Sequence, residues 1–136
     1  MANVITYGTF DLFHIGHLRI LERAKALAGE GGTLTVVVSS DRFNWEEKHK
    51  RCTIPDFQRA EIVGAIRYVD KVLFEDSWDQ KRRDIVDNNI DIFVMGDDWK
   101  GKFDDLSDIC KVVYLPRTPD ISTTEIKSGL KVDREM

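Results

Sequence analysis

Five short runs of β-favouring residues punctuate the chain: Val4–Tyr7, Leu34–Val38, Val69–Phe74, Ile92–Met95 and Val112–Leu115. The most apolar of them, such as Leu34–Val38, are continuous rather than alternating, the pattern of strands covered on both faces. Helical signals fill the gaps. Leu12–Ala28 carries Leu18, Leu21 and Ala24 at helical spacing and ends at Gly29-Glu30-Gly31-Gly32. Pro55 suits the first turn of a helix to about Ala65. Ser77-Trp78-Asp79-Gln80 and Ser122-Thr123-Thr124-Glu125 are capping-box patterns, opening helices to about Asn88 and about Leu130. Arg42–Thr53 reads as polar and irregular, and residues 131–136 as a frayed tail. This alternation predicts an α/β fold over residues 1–136: a single Rossmann-like domain, a five-stranded parallel sheet with helices on both faces and right-handed crossovers.

Ligands of such sheets bind beyond the carboxyl ends of the strands. The chemically unusual residues fall there, in Gly8–His17, Arg42–Arg51, Gly96–Lys102 and Pro116–Thr124. Composition narrows the ligand. With 136 residues, 42% hydrophobic and a formal net charge of −4, the chain suits one packed domain and not general nucleic-acid binding. No apolar run is long enough to insert in a membrane, and the N-terminus lacks a signal-peptide layout. Cys52 and Cys110 read as reduced thiols, so a cytoplasmic location is expected. In an acidic chain the cationic run Lys48-His49-Lys50-Arg51 stands out as a local site for polyphosphate, although such a mixed run also suits a solvated face.

His14 and His17 flank Gly16 at the junction of the first strand and helix. Three residues apart on a helix, they face one way, and a helix start adds unpaired N–H groups and a positive dipole end. Together they suggest a phosphate site with two side-chain donors. A zinc reading is disfavoured, because His49, Cys52 and Cys110 match no paired ligand spacing. Arg117 follows the last strand and can grip phosphate with two prongs. Ser122, Thr123 and Thr124 start a helix and offer hydroxyls and N–H groups to an anion. Trp45, Trp78 and Trp99 suit either the core or base stacking; Trp99, after Asp97-Asp98, could shape a base pocket.

Thr9-Phe10-Asp11 followed by His14-Ile15-Gly16-His17 resembles the nucleotidyltransferase superfamily that bears a His-x-Gly-His signature. Arg117-Thr118-Pro119-Asp120-Ile121-Ser122-Thr123-Thr124 is similar to the Arg-Thr-x-Gly-Ile-Ser-Thr-Thr motif of its cytidylyltransferases, although Pro119-Asp120 lacks the glycine before Ile121. Met95-Gly96-Asp97-Asp98-Trp99 and Arg67-Tyr68-Val69-Asp70 are similar to bacterial members acting on glycerol 3-phosphate.

The resemblance implies transfer of CMP from CTP to sn-glycerol 3-phosphate, giving CDP-glycerol and pyrophosphate in teichoic acid or capsule biosynthesis. It implies His14, His17, Lys50 and Arg117 as catalytic. CTP would also meet Thr9, Phe10, Ile15, Gly16, Gly96, Asp98, Thr118, Ile121, Ser122, Thr123 and Thr124. The acceptor would meet Lys48, Lys81, Asp11 and Arg67. Magnesium would bridge phosphates, with Asp11 the nearest protein contact, and Asp70 is as readily structural. A homodimer is the family expectation. The alternatives are an acceptor such as ribitol 5-phosphate or phosphoethanolamine, an adenylyltransferase, a synthetase fragment, and a non-catalytic nucleotide-binding module. The last is disfavoured because His14, His17 and Arg117 are all present.

Overall fold

The computed structural model describes residues 1–117. Five strands, β1 (Asn3–Gly8), β2 (Thr33–Ser39), β3 (Lys71–Glu75), β4 (Ile92–Gly96) and β5 (Lys111–Leu115), form one parallel sheet in the order β3-β2-β1-β4-β5. Four helices connect them: α1 (Ile15–Ala28), α2 (Asp41–Lys48), α3 (Asp56–Gly64) and α4 (Gln80–Asp87). Short 3-10 turns at Asp97–Trp99 and Asp104–Asp108 occupy the crossover from β4 to β5. The strand order reverses direction between β1 and β4, which places a crevice at their carboxyl ends.

Successive strand residues face opposite layers. Val4, Leu34, Val36, Val38 and Val94 pack with Leu21, Ala24 and Ala28 of α1 and Val63 of α3. Ile5, Tyr7, Val37, Phe93 and Met95 pack with Ile85 of α4 and Leu106 on the other side. Helices therefore cover both faces, which is why the central strands are apolar without alternation.

Four boundaries differ from the sequence reading, each for a local reason. The first helix begins at Ile15 rather than Leu12, because His14 is its N-cap and Phe10 and Leu12 take left-handed backbone angles (φ 56° and 50°). Arg42–Thr53 is not wholly irregular. Ser40 caps α2, its Oγ accepting from Phe43 N at 3.1 Å. The helix ends where His49 turns left-handed (φ 53°).

The third strand starts at Lys71 because Asp70 is engaged in binding β2. Its carboxylate accepts from Leu34 N at 2.8 Å and from Lys25 Nζ at 2.6 Å, which also draws its pKa below the usual carboxylate value against the pull of burial. Ser77-Trp78-Asp79-Gln80 forms a turn ahead of α4. Gln80 Oε1 accepts from Asp76 N and Ser77 N, and Ser77 Oγ from Asp79 N. The helix predicted from Ser122 lies outside the described residues.

Candidate functional site

A cleft of about 950 Å³ opens at the carboxyl ends of β1, β3 and β4. Its floor begins where β1 ends. A side chain at Gly8 would bring a Cβ within 2.8 Å of the Phe10 ring, so glycine lets that buried ring fold back over the strand end. Phe10 and Phe13 pack against His17, with ring centroids 5.4 and 5.3 Å away.

The two histidines cap α1 reciprocally. His14 Nδ1 accepts from Gly16 N at 3.0 Å, and His17 Nδ1 accepts from His14 N at 3.2 Å. The helix start therefore does not present its Gly16 N–H to an anion, as the sequence suggested. Its own imidazoles take it. With Nδ1 fixed as an acceptor, each neutral ring carries its proton on Nε2. The rings stack at 3.8 Å and both line the cleft. Burial pushes the His17 pKa down to about 4, helped by His14 and opposed by Asp11. Burial and then the Arg117 charge lower that of His14. At neutral pH the pair is two uncharged N–H donors.

A pH consequence follows. An unfolded histidine titrates near 6.5, so between about 6.5 and about 4 the unfolded chain binds a proton that folded His17 refuses. The contribution of His17 to stability is complete above that window and is lost as pH falls through it. Urea unfolding at pH 7 and pH 4.5 should show wild type losing more stability than His17→Gln. Equal losses would remove His17 as the cause.

The sequence reading puts Asp11 at the acceptor or a metal. The structure places it in the cleft lining and also makes it a fastener. Its buried carboxylate accepts from Thr53 N at 2.8 Å and Ile54 N at 2.9 Å, holding the loop after α2 to the loop after β1. Among the described residues no three His, Cys, Asp or Glu side chains converge as a metal cage. Arg59, which sequence reasoning passed over, locks the same loops. It is 1% exposed, and its guanidinium donates to Ile54 O, Thr9 O and Ser39 O and to Asp41 Oδ1 at 2.6 Å.

Cations ring the opening. Lys48 and Lys50 line it with Arg51, Lys81 and Arg117, joined by Arg23 and Lys102, which the sequence did not single out. Arg23 Nη1 donates to Pro116 O at 2.9 Å, tying α1 to the residue before Arg117. Lys48 Nζ lies over the Phe43 and Trp78 rings, and burial lowers its pKa while Glu75 opposes the shift.

Lys81 is no exposed helix lysine: it is 5% exposed, 2.6 Å from Glu75 Oε2, and over the rings of Tyr7, Trp78 and Phe103. Thr9, Gly16, Gly96, Asp98 and Trp99 also line the cleft.

Two expected residues do not join this group. Ile15 is 44% exposed at the start of α1 and is not part of the cleft lining. Arg67 precedes β3, hence lies at the amino ends of the strands, where its exposed guanidinium donates to Tyr68 Oη. That position corrects its assignment to the acceptor within this chain. Thr118, Ile121, Ser122, Thr123 and Thr124 lie outside the described residues.

An acidic protein that gathers this many cations at a switch point, around two neutral N–H donors, belongs to the α/β nucleotide-binding class that handles polyphosphates by positioning. A family model described as cytidylyltransferase-like matches residues 5–129, and the chain belongs to that family. It is 58% identical, over 96% of its length and 98% of the relative's, to the glycerol-3-phosphate cytidylyltransferase of Bacillus subtilis (strain 168). It is 48% identical to that of Staphylococcus aureus (strain NCTC 8325 / PS 47), over 96% of each chain. Among solved structures, the lipopolysaccharide core biosynthesis protein from Thermoplasma volcanium GSS1 is similar, with a TM-score of 0.72 at 25% identity, covering 87% of this chain and 98% of that one.

Proposed function

We propose that this chain transfers CMP from CTP to sn-glycerol 3-phosphate, forming CDP-glycerol and releasing pyrophosphate. The observation that carries the reading is the reciprocally capped histidine pair, which fixes two neutral Nε2–H donors in a cation-ringed cleft. The acceptor comes from relatives at 48–58% identity, all glycerol-3-phosphate cytidylyltransferases.

A phosphate monoester has a second pKa near 6, so the attacking oxygen is already largely ionised at neutral pH. It attacks the α-phosphorus of CTP, and the bond from that phosphorus to the bridging oxygen of pyrophosphate breaks. No general base is needed. His14 and His17 donate to the α-phosphate oxygens, where charge grows, and Lys50 and Arg117 counter the charge of the triphosphate. Lys48 and Lys81 hold the acceptor phosphate beside it, offsetting the repulsion of two polyanions.

The described residues do not fit a protein cage for magnesium, so the ion would ride on the phosphates. Chelation should therefore stop pyrophosphate release, added magnesium should restore it, and CTP should be strongly preferred to ATP. ATP working as well as CTP would sink the cytidylyl reading. Undiminished turnover in excess chelator would sink the metal requirement.

Lys81→Ala tests the acceptor site. Loss of a charge-assisted contact should raise the KM for glycerol 3-phosphate by about tenfold to a hundredfold. The KM for CTP should move far less. Steady-state kinetics with each substrate varied in turn reads the split, and an equal rise for both would mean that Lys81 does not hold the acceptor.

A further inference from the structure

A cleft built for two polyanions would be expected to exclude carboxylates, yet Glu75 lines it while only 3% exposed. It is the last residue of β3, paired in register with Ser39 at the ligand end of the sheet. Among the described residues the one hydrogen bond to its carboxylate comes from Lys81, at Oε2. Oε1 has no such partner. The Tyr7 hydroxyl beside it is turned elsewhere, donating to Asp84 Oδ2 at 2.7 Å. The rings of Tyr7, Trp78 and Phe103 enclose the carboxylate's partner Lys81, and Lys48 also feels the charge of Glu75. A carboxylate can only accept, and one whose second oxygen is left open on the cleft favours an O–H donor from the ligand. Nothing in the cytidine triphosphate reading uses this group.

We propose that Glu75 determines acceptor specificity: Oε2 fixes Lys81 against the acceptor phosphate while Oε1 accepts a hydroxyl of the polyol. The inference rests on the acceptor reading above and assigns the part of the acceptor that no lysine can read. One carboxylate thereby measures the spacing between phosphate and hydroxyl. A site built to bond a hydroxyl rejects the analogue lacking it far more strongly than a greasy pocket rejects an extra group.

The test compares glycerol 3-phosphate with n-propyl phosphate, which has the same phosphate and neither hydroxyl. The readout is the ratio of kcat/KM for the two acceptors, in wild type and in Glu75→Gln. Wild type should prefer glycerol 3-phosphate by on the order of 10² or more. In Glu75→Gln that ratio should fall by about tenfold, because a charged acceptor has become a neutral one. A purely structural partner of Lys81 would lower both substrates together, and an unchanged ratio overturns the proposal. Should Glu75→Gln not fold, Glu75→Asp keeps the charge but withdraws it by one methylene. The same fall supports the assignment and the same constancy overturns it. Absence of wild-type turnover with CTP and glycerol 3-phosphate would overturn the acceptor reading and this assignment with it. Wild-type turnover with a constant ratio overturns Glu75 alone.

Discussion

Replacing His14 or His17 by alanine is expected to lower kcat by on the order of 10² or more while the sheet stays folded, the scale of losing one donor to a developing oxyanion. The structure adds a second effect. Each imidazole also caps α1, so each variant should lose about 1 kcal/mol of stability and a few degrees of Tm. His17→Gln can restore an acceptor for His14 N without restoring the ring, so it should recover Tm more than kcat. Pre-steady-state measurement of pyrophosphate formation, alongside thermal unfolding, separates the two. A folded alanine variant with near-normal kcat would take the pair out of the reaction.

The second large effect concerns Arg59. Arg59→Met keeps much of the side-chain volume but leaves Thr9 O, Ser39 O and Ile54 O without their donor and Asp41 without its ion pair. Unsatisfied buried acceptors cost about 1–3 kcal/mol each, so a total of about 3 kcal/mol or more is expected in urea unfolding. Activity should fall beyond what the unfolded fraction explains, because the segments Arg59 ties together lead directly into the histidine pair at the start of α1 and into α2, which ends at Lys48. Arg59→Lys should rescue little, since an ammonium cannot span all four partners. Full stability in Arg59→Met would show that the loops are held by other contacts.

Much of this was legible in the sequence. Buried parallel strands leave apolar runs, and each of the five appeared within about two residues of its observed position. The histidine pair was legible because a glycine between two histidines at a strand-to-helix junction has few purely structural explanations. Other features left no such trace. Helix α2 buries Phe43 and Asn44, too little apolar surface to imprint a helical period. Arg59 and Glu75 were invisible because a charged residue on a helix or at a strand end usually meets water, and only tertiary structure buries these two. Arg67 shows the reverse failure: it lies in a segment that matches the family, yet that segment is at the amino end of the sheet. Asp11 lines the expected cleft, but its hold on the backbone N–H groups of Thr53 and Ile54 is one that no side-chain pattern announces.

The pairing of β1 with β4 has a kinetic side. Thr6 and Val94 are joined across 88 residues, whereas β1 and β2 meet after about a third of that separation. Closing the longer loop costs conformational entropy before any contact repays it, and pairings between sequence-distant strands slow folding. On a ribosome, β1, β2, β3 and all four connecting helices emerge before β4 exists, with one edge of β1 still open. The wall carrying Gly96, Asp98 and Trp99 arrives only when β4 docks against that edge. A polyanion gripped by both walls would therefore bind the finished sheet and not its precursor, drawing the last folding step forward by mass action.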